Sequence, residues 1–398
     1  MSQIIREQTI DFVIHLMKSP DINPYQATAD YLVAFLQPRA LPSWSPYVQR
    51  VVAAAFLVMF LQSAYILYVR SKTKKVYHIG LNAIGLVQLD RANHCGLCYL
   101  LYSILAMTEI VWGEIAQSGH LDQGGPNFIL GINLMFTIAC ARVILWLCIC
   151  HYALVKQRTV SRRMTPVGKL IPTTVTWALN ILLGMIVFVS NVSIFISFLL
   201  LNLEYRRITQ LLSPVIEILR KSASTCALST CSVNEVVLQI LSLTPAYHHI
   251  DLVVKYNQLG LDFYIFFCGV LILLYVPFLF LLSKIFTNQT ELDHSIRRQQ
   301  KEVFANTLLE FTIILSILVL DVCARSLIRK GAFMFDPNFW LIVRIGPNVT
   351  VAILGNIALF LILYNLRGTT VTPSNPPISF SKLTTGIGSH KSDVDPLP

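Results

Sequence analysis

Residues 261–286 read LDFYIFFCGVLILLYVPFLFLLSKIF, an apolar run whose charges, Asp262 and Lys284, sit only at its ends. A helix needs about 20 mostly apolar residues to cross ~30 Å of hydrocarbon, and this run meets that requirement. Working outward from it, six more runs of the same character stand at 51–69, 96–115, 128–154, 170–201, 305–324 and 339–366. Backbone N–H and C=O groups have no water to bond inside lipid, so such runs must be helical. The expected fold is all-α: an integral membrane bundle of seven transmembrane helices.

Composition agrees. The chain has 398 residues, of which 55% are hydrophobic and 13% charged, and its mean hydropathy is +0.62. Soluble domains carry about 25% charged residues, roughly twice this share. The formal net charge of +10 sits mostly beside the spans, where membrane topology accounts for it, so no nucleic-acid partner is expected. Most of the nine cysteines fall in or next to spans, where cysteine behaves as a small hydrophobe. Cys226 and Cys231 do not, and in an extracellular connection they would close a small disulfide. His94, Cys95 and Cys98 have the look of half a zinc knuckle. With no second pair at ligand spacing, no metal is expected, and neither a cofactor nor a catalytic set is visible.

The short loops alternate in basic charge. Arg70, Lys72, Lys74, Lys75 and Arg91 mark the first, Lys156, Arg158, Arg162, Arg163 and Lys169 the third, and Lys284, Arg297, Arg298 and Lys301 the fifth. The second loop has none and the sixth only Arg325, Arg329 and Lys330, a split of fourteen against three. Positive charge stays cytoplasmic in short loops, which places the amino terminus outside and the carboxy terminus inside. Three regions follow: an extracellular segment 1–47 with a short amphipathic helix, the bundle 48–367, and a disordered cytoplasmic tail 368–398. The tail's Pro, Ser, Thr and Gly cannot bury a core. Between spans four and five lies a long connection, 202–260. Span four, at roughly 48 Å by a rise of ~1.5 Å per residue, is long enough to continue as a helix beyond the bilayer.

Ionisable groups inside spans are costly and mark functional positions. Glu109, Asp321 and Arg344 converge in depth on the outer third of the bundle, with Glu114, Asp262 and Arg325 nearer the surface, where long side chains snorkel. Asp321 opposite Arg344 would join spans six and seven. Arg142 lies deeper in span three, where it would hold an anionic ligand group, reach Glu109, or bond backbone carbonyls. Glu109, Arg142, Asp321 and Arg344 are therefore the candidate ligand-binding residues. Asn133, Asn180, Asn191, Asn348 and Asn356 are expected to bond between helices. Pro277 and Gly346-Pro347 interrupt the helical ladder and offer hinges.

Seven spans, an external amino terminus, three basic inner loops and a polar inner tail resemble a G-protein-coupled receptor in architecture. The motifs of the rhodopsin-like class are absent: span three ends Cys150-His151-Tyr152, and span seven has Asn356 and then Tyr364. A divergent family, of which fungal receptors are an example, is the nearer likeness. That resemblance implies a plasma-membrane receptor for a small ligand. Its basic loops, chiefly Arg158, Arg162, Arg163, Arg297 and Arg298, would meet a cytoplasmic partner such as a heterotrimeric G protein. The chain is also similar to insect gustatory and odorant receptors, through a fourth span running past the membrane and a partly helical connection into the fifth. That likeness implies a ligand-gated ion channel with its amino terminus inside. A small-solute transporter is the remaining alternative.

Overall fold

The structure is a computed structural model that describes residues 2–18, 22–36, 42–72, 80–82, 85–117, 124–161, 173–226, 232–288, 294–329 and 337–370. Among the described residues, seven helices are long and apolar enough to cross a membrane. They are α3 (Ser45–Lys72), α4 (Arg91–Gln117), α5 (Gly124–Ser161), α6 (Thr173–Thr225), α8 (Thr244–Asn288), α9 (His294–Arg329) and α11 (Gly346–Thr370). α11 is led in by a one-turn α10 (Pro337–Trp340) and a π-helical turn, Leu341–Ile345. Large apolar side chains such as Phe188, Leu273 and Phe280 point outward from the bundle. A soluble protein does not expose apolar surface on that scale, and lipid is the solvent that suits it. The protein is a multi-pass membrane protein. α5 is its central helix: 67% of its most apolar stretch is buried, against 22% in α6 and in α8.

The connection 202–260 is largely helical. α6 runs for 53 residues, about 80 Å at ~1.5 Å per residue, so more than half of it lies outside ~30 Å of hydrocarbon. α8 is 45 residues long and begins well before its apolar stretch. Along these extensions Tyr205, Ile208, Leu212 and Leu219 of α6 are buried with Val253 of α8 and with Val236 of α7 (Val233–Ser242). The core of the bundle therefore continues past the membrane. Polar contacts lock it. Glu204 accepts from Arg207 Nη1 at 2.8 Å, and its Oε2 lies 2.6 Å from His249 Nδ1 on α8.

The amino-terminal segment supplies two helices, α1 (Ser2–Met17) and α2 (Pro24–Leu36); α1 packs on α7 and α8, and α2 on α6 and α7. Asn23 caps α2 by accepting from the backbone N–H groups of Tyr25 and Gln26, while its amide donates to the Ala223 carbonyl at 3.2 Å. Tyr25 donates to Glu235 of α7 at 2.5 Å. Phe12 stacks on Tyr31, centroids 4.2 Å apart. Cys226, just past α6, is disulfide-bonded; Cys231 lies outside the described residues.

At the opposite end, between α3 and α4, a small hairpin of two-residue strands, β1 (Gly80–Leu81) and β2 (Val87–Gln88), seats itself against the bundle. Gly85 takes a φ of 92° to turn it, a conformation open to glycine without a Cβ penalty. Trp146 Nε1 donates to the Val87 carbonyl at 2.7 Å, and Asn180 bonds both the Val87 N–H and the Gly85 carbonyl. Leu86 is buried against Trp146 and Cys150. Arg70 pairs with Asp90 at 2.8 Å, and Asp90 in turn caps α4 through the Asn93 N–H.

Of the basic positions expected to face a partner, Arg158 lies on the last part of α5 and Arg297 and Arg298 on the first turns of α9. Arg162, Arg163 and residues 371–398 of the tail lie outside the described residues.

Candidate functional site

Glu109 sits on the face of α4 that the bundle encloses, 3% exposed, and Arg344 meets it from the π-helical turn, 6% exposed. Arg344 Nε stands 3.8 Å from Glu109 Oε1, a separation at which charges attract without a good hydrogen bond. Both partners lean on amides of α5. Arg344 Nη2 donates to Asn127 Oδ1 at 2.6 Å, and Asn133 Nδ2 donates to Glu109 Oε2 at 3.1 Å. A π turn inserts one extra residue per turn and changes the direction of the side chains that follow. Here it comes directly before Gly346-Pro347, and a Cβ on Gly346 would stand 2.9 Å from Leu320 Cδ1. Glycine thus lets α11 approach α9 closely enough for Arg344 to reach across to α4.

A cavity of about 20 Å³ lies on this pair, lined by Gln49, Val52, Glu109, Ile110, Arg344 and Asn348. That is room for about one water. Gln49 Oε1 and Glu109 Oε1 are buried without a hydrogen-bond partner among the described residues. Separating such a buried ion pair by removing one partner costs about 3–5 kcal/mol, because the other charge is left uncompensated.

The remaining candidates stand elsewhere. Asp321 is 1% exposed on α9, and its Oδ2 has no hydrogen-bond partner among the described residues. Arg344 pairs with Glu109 rather than with Asp321, so the bond expected between spans six and seven runs instead between spans two and seven. The charge of Asp321 acts on Tyr264 and Cys268 of α8, and that of Arg142 reaches the same two side chains. Arg142 Nη1 donates to the Val187 carbonyl of α6 at 3.3 Å. Asp262 and Arg325 form a two-bonded pair at 2.7 and 3.1 Å near the surface, and Glu114 meets Arg50 at 3.4 Å. The structure thus unites Glu109 with Arg344 and sets Arg142 and Asp321 around a separate pair of α8 side chains.

Three contributors are absent from the sequence-derived candidates. Asn127 and Gln49 lie near span ends, where amides are common. Glu310 is different: it stands inside the sixth apolar run, and the cost of an intramembrane carboxylate was signal enough to single it out. It is 2% exposed and accepts from Tyr99 Oη at 2.5 Å and from Cys140 Sγ at 3.4 Å. Of the asparagines expected to bond between helices, Asn133, Asn348 and Asn356 do so: Asn133 donates to Glu109, Tyr102 donates to Asn348 at 3.1 Å, and Asn356 donates to the Ala55 carbonyl at 3.0 Å. Asn180 instead bonds the hairpin, and Asn191 Oδ1 has no hydrogen-bond partner among the described residues.

No protein-family model, no curated protein and no solved structure matches this chain.

Proposed function

We propose that this protein is a seven-span receptor of the plasma membrane whose small ligand acts on the Glu109–Arg344 layer. The observation that carries the reading is the pair itself: opposite charges buried together at 3.8 Å, held by asparagines rather than by each other. A ligand with its own charged or donor groups competes well with so loose a contact. The water-sized cavity means that α11 must move to admit it, and the π turn with Pro347 is where that movement would be absorbed. Binding shifts the protein between two helix arrangements only if it is stronger in one of them. Basic residues at the far ends of α5 and α9, Arg158, Arg297 and Arg298, together with Arg162 and Arg163 that follow α5 in the sequence, would then present a changed surface to a cytoplasmic partner such as a heterotrimeric G protein. Neutralising Glu109 (Glu109→Gln) is expected to abolish any ligand response found in a cell-based screen. An unchanged response removes the pocket assignment.

A second reading is favoured by the paired extensions of α6 and α8. Helices that run far past the bilayer and pack there with α7 support the likeness to insect gustatory and odorant receptors, hence a ligand-gated channel with the amino terminus inside. A tetramer on sizing in detergent, together with a cytoplasmic α6–α7 connection, would favour the channel. A monomer with that connection outside would favour the receptor.

A further inference from the structure

A second cavity, of about 10 Å³, lies further along α4 and is lined by Tyr99, Tyr102, Thr137, Cys140 and Glu310, among others. Glu310 has no cation within ion-pair distance among the described residues, and Tyr99 and Cys140 both donate to one of its oxygens. The other titratable groups whose charge it feels or affects are Cys98 on α4 and Tyr275 on α8. One hydrogen bond divides the two cavities: Tyr102, lining the lower, donates to Asn348, lining the upper.

Along α4 the row runs from Glu109 through Tyr102 to Tyr99, about 15 Å at ~1.5 Å per residue, or half the hydrocarbon thickness. α4 and α9 cross in the same direction, so the buried Asn93, Asn306 and Thr307 extend the row toward the end where both helices begin. Cavities that each hold about one water exclude a hydrated metal cation and any organic solute. They do not exclude a proton passed between oxygens. A carboxyl group such as Glu310, with no cation beside it among the described residues and bonded to a hydroxyl and a thiol donor within the membrane, is a part from which proton relays are built.

We propose that the bundle carries protons across the membrane along this row, with the Tyr102–Asn348 bond as its closed gate. The upper water, as hydronium, gives a proton to Glu109, one O–H bond forming as another breaks. Glu109 returns it to water once Tyr102 has swung off Asn348 and the two cavities share a file of water. The lower water then delivers it to Glu310, which releases it toward the Asn306 end. No electron changes hands, and one proton leaves one side for each that appears on the other. The row shares Glu109 and Asn348 with the proposed ligand layer, but its test reads Glu310, which lies outside that layer, so the two readings can fail separately.

The test uses the full chain in liposomes loaded with a pH-sensitive dye, with a potassium gradient and valinomycin setting the voltage. Asn348→Ala, which releases Tyr102, is expected to raise proton entry roughly fivefold over wild type, the shift that loss of one hydrogen bond gives a gate equilibrium. Tyr102→Phe breaks the same bond with the ring kept, and it serves if the first variant fails on sizing. Adding Glu310→Gln, nearly the same shape, is expected to return entry to the level of protein-free vesicles. Proton entry at that level in both gate variants overturns the proposal. So does entry that ignores Glu310→Gln, or a current carried by potassium in place of protons.

Discussion

Phe198 is a wedge between three helices, and its surroundings give a graded prediction. The ring, 2% exposed on α6, enters the space left by two glycines, Gly131 on α5 and Gly260 on α8. A Cβ on Gly131 would lie 2.5 Å from Phe198 Cβ and 2.6 Å from Cδ2, whereas one on Gly260 would lie 2.8 Å from Cε2 at the ring's edge. The edge can tilt away; the root of the side chain cannot, so Gly131→Ala must push α5 from α6. Overpacking costs about 1–3 kcal/mol, and the deep clash belongs at the upper end. Replacing glycine by alanine within a helix returns about 1 kcal/mol of propensity. The net for Gly131→Ala is a loss of about 2 kcal/mol, and for Gly260→Ala close to zero. Gly184 meets nothing within 4 Å, so Gly184→Ala keeps only the gain. Heating each variant in detergent and measuring the remaining folded peak on sizing should rank them Gly184→Ala, then wild type with Gly260→Ala, then Gly131→Ala. Phe198→Leu added to Gly131→Ala should recover part of the loss. If Gly131→Ala melts together with Gly260→Ala, the wedge argument fails.

Two other perturbations address the ends of the molecule. The hydrogen bond to Glu235, with a smaller contribution from burial, raises Tyr25 above the usual phenol value. The neutral phenol is thus favoured by folding, so this contribution is complete below about pH 10 and is lost as pH rises through the folded-state value. Limited proteolysis should release the α1–α2 segment with a step in that alkaline range, and Tyr25→Phe should abolish the step; a step that persists in the variant refutes the assignment. At the other end, Trp146→Phe removes the donor to the Val87 carbonyl, about 1 kcal/mol, and should speed amide exchange at Leu86 and Val87 roughly fivefold. Unchanged exchange there would mean that Asn180 alone seats the hairpin.

The seven spans were legible because lipid leaves a long apolar run no alternative to a helix. The helical extension of 202–260 was half legible: span four is visibly too long, yet Glu204, Arg206, Arg207 and His249 give the stretch the look of a solvated loop. In the structure Glu204 and His249 meet each other between α6 and α8, which no spacing along the chain reveals. Partner choice for Arg344 was also hidden. Depth alone set it beside Asp321, and only the π turn turns it toward Glu109. Glu310 itself was in plain view inside the sixth run, but its partners were not, since Tyr99 and Cys140 belong to two other helices. The hairpin has strands of two residues each, too short to carry a periodicity.

The central claim is a receptor whose ligand layer faces outward and whose basic helix ends face the cytoplasm. It is tested most directly by an epitope inserted within 162–169, between α5 and α6, in intact cells. The account predicts that antibody reaches the epitope only after the membrane is permeabilised. Labelling of intact cells would contradict it, reverse the bundle, and leave the channel reading as the one that fits the extended helices.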